Sequence, residues 1–437
     1  MNLRHAVSCG FVCAALLLTG CEKGREAPGR VNVQVVNAAS GMEGVVFRRE
    51  QDTRGQTNLA FKGATVAVYD ADTYDFYATD IADIRRTFTF AETLETDTTY
   101  AFVLTEVAGE IKPVVIAYPK TTANPQVISL NAASGMPAMD LYVEPAGVGI
   151  VGAAPRGTFG PQEQIPAFAV PTGTYELWLT AAGNPSSVLL TSPAVALDAN
   201  TVSTFVVVAE NGQGTVPLSI VLLQGSPVVL LDQHATSELR VINGANDQGA
   251  RDVAIDSQFT PPLFSATTFG EPTPYAQVPT ASMKVNITPV GDQGVLEAEA
   301  SYTGTIGQRA TMLFNGPAGT LVPLIVGDDG RRLTAQGKLR FMSAISTPTT
   351  SLDFVVTFPD QDPNTVAGLT NLFAPGISAY TALEPGDYDL YLRQSFTANY
   401  YAGPIRLSLA AGGLYAVLAV DGPDTATASV RLLDDFP

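Results

Sequence analysis

The feature that most constrains this chain is a repeat. Asn37-Ala-Ala-Ser-Gly-Met42 returns, residue for residue, as Asn131-Ala-Ala-Ser-Gly-Met136. Weaker copies lie at Leu239-Arg-Val-Ile-Asn-Gly-Ala245 and Leu339-Arg-Phe-Met-Ser-Ala-Ile345. The aligned positions Asn37, Asn131, Asn243 and Ser343 are 94, 112 and 100 residues apart. A second element follows about forty residues later in three units: Val170-Pro-Thr-Gly-Thr-Tyr-Glu-Leu-Trp-Leu179, Val278 to Ile287, and Leu383-Glu-Pro-Gly-Asp-Tyr-Asp-Leu-Tyr-Leu392. A third element reads Thr204 to Val208, Ala310 to Phe314 and Tyr415 to Ala419, and each unit closes on another apolar stretch. Self-similarity at a fixed period means that one structural unit has been copied. The first unit shares the opening and a third element at Tyr100 to Leu104, lacks the Pro-Gly-Tyr element, and reads as divergent.

The repeated elements carry strand patterns. Val31, Val33 and Val35 alternate with Asn32 and Gln34, a period of two. Tyr175, Leu177 and Leu179 share one face of a strand, and Glu176, Trp178 and Thr180 share the other. The same phase holds for Met283, Val285 and Ile287, and for Tyr388, Leu390 and Leu392. Proline and glycine supply the turns, 30 and 39 of them along the chain, and leave little room for long helices. One short helix is expected over residues 364–373. Several short strands per hundred residues predict an all-β chain of tandem immunoglobulin-like antiparallel β-sandwich domains. The expected divisions are a leader at 1–20, a tether at 21–29, a divergent sandwich at 30–123, and three further sandwiches at 124–232, 236–334 and 337–437.

The N-terminus reads as an address. A basic start, Met1 to His5, precedes fifteen uncharged residues ending in Leu16-Leu17-Leu18-Thr19-Gly20. That run suits a signal-peptide core and is short for a membrane span. Leu18-Thr19-Gly20-Cys21 resembles a bacterial lipobox, which implies cleavage before Cys21 and lipid attachment there. Several acyl chains anchor stably where one is marginal. In the sorting logic that accompanies this resemblance, Glu22 in place of Asp favours the outer membrane, facing the periplasm or the surface.

The opening Asn-Ala-Ala, Leu141-Tyr142-Val143, the Phe-Gly pairs at 159–160 and 269–270, and the Val-Pro-x-Gly-x-Tyr element together resemble the DUF4397 domain. The resemblance spans residues 124–437 and departs in the third unit, where Ala281-Ser282-Met283 replaces Gly-Thr-Tyr. It implies an immunoglobulin-like fold in tandem on secreted or surface proteins, and no known catalytic residues.

Composition narrows the chemistry. The net charge is −18, and becomes −19 once Arg4 leaves with the leader. Such a surface opposes nucleic-acid binding, which needs basic groups to displace counterions. The three cysteines, Cys9, Cys13 and Cys21, all sit at the extreme N-terminus, so the folded region holds no disulfide framework or thiolate metal site. His234 is the one histidine after the leader, which disfavours histidine-based nucleophilic catalysis and zinc ligation. Gly147-Val-Gly-Ile-Val-Gly152 matches a dinucleotide fingerprint in form, but Pro155 opposes the helix that the motif requires, and a glycine-rich hairpin is expected instead. The chain is therefore read as a non-enzyme without a cofactor.

Two ligand classes stay open. Asp70, Asp72 and Asp75 place three carboxylates within six residues, a candidate calcium site although it fits no EF-hand. Trp178 and Tyr391 occupy the same repeat position on the face opposite the apolar one, where aromatic rings stack on sugars or anchor a partner. The third unit has Asn286 there. The expected role is passive: a lipid-anchored rod of sandwiches serving structure, adhesion or interaction at the cell envelope. Its partners would be the membrane, through the N-terminal lipid, and envelope proteins or glycans. A carbohydrate- or calcium-binding surface module is the alternative.

Overall fold

The computed structural model describes residues 29–52, 57–245, 249–317, 319–346, 351–422 and 427–434. The leader, Cys21 and the tether up to residue 28 lie outside the described residues. Apart from one 3-10 turn at Pro363–Thr365, the regular structure of the described residues is all strand.

The first unit sets the pattern. Its strands are β1 (Arg30–Asn37), β2 (Gly44–Arg49), β3 (Thr57–Ala60), β4 (Ala64–Asp70), β5 (Thr73–Asp80), β6 (Thr87–Thr93), β7 (Thr98–Val107) and β8 (Glu110–Pro119). They build two sheets, ordered β4-β1-β7-β8 and β3-β2-β5-β6. Neighbours are antiparallel except β1 and β7, which run parallel from Asn32 beside Thr99 to Asn37 beside Leu104. Sixty residues separate the two strands, ample for the crossover that a parallel pair needs.

Three more units repeat this order. The counterparts of β1 are Gln126–Asn131, Ser237–Asn243 and Gly337–Ala344, and each runs parallel to the counterpart of β7: Val202–Ala209, Arg309–Asn315 and Leu414–Asp421. The counterparts of β2 and β5 pair antiparallel in the facing sheet: Met139–Pro145 with Gly173–Ala181, Arg251–Ile255 with Ser282–Pro289, and Leu352–Thr357 with Gly386–Gln394. One sheet of every unit is thus mixed rather than wholly antiparallel. The first unit, divergent in sequence, has the same topology as the others. It also keeps the tyrosine of the Pro-Gly-Tyr element. Tyr74 on β5 donates its hydroxyl to Asp70 O at 3.1 Å, as Tyr175 does to Pro171 O and Tyr388 to Glu384 O, both at 2.8 Å.

Strand alternation fills each sandwich. Val31, Val33 and Val35 meet Val45, Phe47 and Phe76 from the facing sheet. Tyr175, Leu177 and Leu179 enter the second core, and their counterparts enter the third and fourth. Each such side chain contributes about 1.5–3 kcal/mol by leaving water.

The outer face of one sheet per unit is also apolar, and it is covered. Val36, Ala101, Val103 and Ile116 of the first unit pack on Leu130, Val206, Val208 and Val221 of the second. Ile242 and Leu313 of the third pack on Met342, Ala344, Ala416 and Leu418 of the fourth. The sandwiches therefore stand back to back in two pairs, not along a rod. The cause is visible in Phe205-Val-Val-Val208: a strand buried on both faces is a continuous apolar run.

One local expectation changes, and the expected glycine-rich hairpin is found. The helix expected over residues 364–373 is a 3-10 turn followed by the strand Thr370–Leu372. The β-branched Thr365 and Val366, and Gly368, oppose an α-helix there. The glycine-rich segment forms the connection between Met139–Pro145 and its antiparallel partner Gly157–Phe159, with Gly147, Gly149 and Gly152 at positive φ. It is a hairpin loop, and no helix follows.

Candidate functional site

One concavity at a sequence-predicted residue lies on the outer face of the fourth unit. Gly386–Gln394 turns Tyr388, Leu390 and Leu392 inward, and alternation sends Asp389 and Tyr391 outward as the floor. On the neighbouring strand Tyr400–Leu409, Arg406 stands opposite Asp389 and donates to its carboxylate at 2.7 Å. The register shifts between Leu390 and Leu392, so Tyr391 sits at a bulge facing Gly403-Pro404. Bulges re-aim side chains. Gly403 has φ +118°, and a Cβ there would come within 2.7 Å of the Tyr391 ring, so only glycine allows this approach.

The opposite wall is the loop after Leu352–Thr357. Asp360 takes a positive φ of 64°. The Asp362 carboxylate accepts the Asn364 N–H at 3.0 Å and caps the 3-10 turn. Tyr400 fastens the loop, donating to Asn364 Oδ1 at 2.8 Å, and its ring meets Tyr391 edge-on with centroids 5.8 Å apart. The result is a cleft of about 420 Å³ lined by Asp360, Gln361, Asp362, Asp389, Tyr391, Pro404 and Arg406. Burial first, then the neighbouring Asp389, raises the Tyr391 phenol above its ordinary range. The hydrogen bond to Asp389 raises Arg406. The cleft thus offers an aromatic floor, several carboxylate acceptors and one guanidinium already engaged.

The other repeat positions differ. Trp178 is half-buried beside Tyr142, with its indole Nε1 buried and unpartnered. Its cross-strand neighbour Thr191 donates its N–H to Asp232 in the segment between units two and three. Asn286 is buried, accepting from Ser257 N and donating to Glu299. Sequence reasoning missed the fourth counterpart, Tyr77, which lies under the Arg48 guanidinium at 4.5 Å and donates to Glu50. The phase of Tyr74, three residues earlier, would have found it. The repeated aromatic position is therefore not one repeated site.

The acidic candidates are not gathered. Asp70 ends β4 and lies 3.8 Å from Arg30, Asp72 caps the following turn through Thr73 N, and Asp75 is exposed on β5. Among the described residues no three His, Cys, Asp or Glu side chains converge as a metal site would require. His234 is exposed in a turn, its N–H bonded to Asp232.

The repeat's polar residues have structural duties. Asn37, Asn131 and Asn243 each accept from the N–H two residues on and donate to a backbone carbonyl of the facing sheet: Leu59, Phe159 and Thr267.

No family model matches the chain, and no curated relative is found. Similar solved structures include the Bacillus anthracis TIE protein, at 9% identity and TM-score 0.17, covering 90% of this chain and 68% of that one. Another is BcpA, the major pilin subunit of Bacillus cereus, at 10% identity and TM-score 0.15, covering 89% and 98%. At such TM-scores these likenesses carry no argument about activity or assembly.

Proposed function

We propose that this chain is an exported, lipid-anchored envelope protein with a passive structural, adhesive or interaction role. The observation that carries the reading is how the buried polar groups are used. The recurrent asparagines join sheet to sheet, and the buried Arg251–Glu297 and Arg340–Asp328 pairs lie within and between units. Such groups hold a scaffold together. The lipobox resemblance at Leu18 to Cys21 supplies the anchor, and the DUF4397 resemblance fits a surface module. An outer-membrane address belongs to the same reading. Mass spectrometry of the mature N-terminus tests the anchor: acylated Cys21 is expected, and an unmodified residue 21 overturns it.

The Tyr391 cleft favours a second reading, a saccharide-binding surface. A flat aromatic ring below carboxylate and amide acceptors suits a polyhydroxylated ligand. A glycan array on wild type, Trp178→Ala and Tyr391→Ala decides it. Binding lost in Tyr391→Ala supports the reading, and no binding at all removes it.

A further inference from the structure

The two pairs of sandwiches are joined differently from the units within each pair. Inside a pair the contact rests on an apolar cluster, to which the Lys62–Glu210 and Arg340–Asp328 ion pairs are added. Between pairs it is polar, and it centres on residues 328–336, which connect the third unit to the fourth. Arg331, almost fully buried, donates to Ser40 O at 3.1 Å and to Met42 O, with its guanidinium 5.2 Å from the centre of the Phe61 ring. Thr334 gives its N–H to Gly41 O at 2.7 Å and its hydroxyl to Glu106 at 2.5 Å. The Arg332 backbone exchanges bonds with Asn211 at 3.0 and 2.5 Å.

We propose that residues 328–336 form a clasp that closes the two halves of the molecule on each other, and that releasing it lets the halves swing apart about residues 231–236. The reason is chemical. Separating the units within a pair would expose valine, leucine and isoleucine to water, which the hydrophobic effect opposes. Opening the clasp hands carbonyls, a hydroxyl and a guanidinium to water, which bonds to them nearly as well. Polar joints between domains are where relative motion is expected. The clasp belongs to the second half and grips loops and a strand end of the first, so residues 231–236 alone remain as the covalent link. For an anchored chain, release would extend its reach. That consequence rests on the proposed anchoring, and the clasp itself does not.

Small-angle scattering on the full chain, wild type against Arg331→Ala/Thr334→Val, tests the clasp alone. The radius of gyration should rise from about 22 Å, the value for one compact body of this length, to about 28 Å, that for two touching half-length bodies. Circular dichroism and melting temperature should be retained, because each half keeps its apolar interior. An unchanged radius overturns the proposal. So does loss of the β-sheet signal in the variant, because the halves would then depend on the clasp to fold. Cys21 acylation is measured separately, so failure of the anchor and failure of the clasp are distinguishable.

Discussion

Asn131, at the end of a strand in one sheet, donates its side-chain amide to Phe159 O in the facing sheet at 3.3 Å, and its carbonyl takes the Ala133 N–H at 3.0 Å. One buried side chain thus fixes the distance between two layers and the turn that leaves the first. Asn131→Ala should cost about 1–3 kcal/mol, because it leaves buried backbone groups unpaired. In the fourth unit the equivalent Ser343 is buried with its hydroxyl unpartnered. Ser343→Ala should therefore be neutral or slightly stabilising. Urea unfolding of both variants checks the contrast.

Alkaline pH should loosen the first pair. Tyr118 lies between the first and second units, its hydroxyl donating to Gln34, and burial pushes its phenol up to about 12. The folded state holds this proton more tightly than the unfolded one. The stabilisation is therefore fully present below about pH 10 and is lost as pH rises through about 12, up to about 2–3 kcal/mol. Urea midpoints at pH 9 and pH 11.5 measure it. Tyr118→Phe should flatten the dependence, with a residual slope from Tyr275, which burial also raises.

The Arg340–Asp328 pair is buried where the third unit meets the fourth, and Asp328 also accepts from Tyr275 and Thr311. Removing Asp328 takes a directly bonded carboxylate from a buried guanidinium. Asp328→Ala should cost about 3–5 kcal/mol, whereas replacing both with apolar residues of similar volume should cost much less. A double-mutant cycle read by thermal melting separates the two.

Calcium should not act through Asp70, Asp72 and Asp75. Strand alternation and the turn between β4 and β5 spread these carboxylates instead of converging them. Millimolar calcium and EDTA should leave the melting temperature unchanged. A calcium-dependent rise abolished by Asp72→Asn would contradict this.

Much of the fold was legible because strand period and core phase are local. The inward set Tyr175, Leu177 and Leu179 could be read from alternation alone, and three units agreed. The Tyr74 counterpart was hidden because Asp70-Ala-Asp72-Thr replaces the Pro-Gly turn while the hydroxyl bond it serves is kept. The back-to-back pairing was half legible. Runs such as Phe205 to Val208 demand cover on both faces, but nothing local says that another unit supplies it. Tyr391 was recognisable as outward. Its cleft was not, because the bond from Tyr400 to Asn364, 36 residues away, places the wall.

The central claim is that the four sandwiches form two apolar pairs closed into one body. Small-angle scattering from the wild-type chain tests it most directly. The account predicts a radius of gyration of about 22 Å, and about 40 Å, the value for four such units in a line, would contradict it.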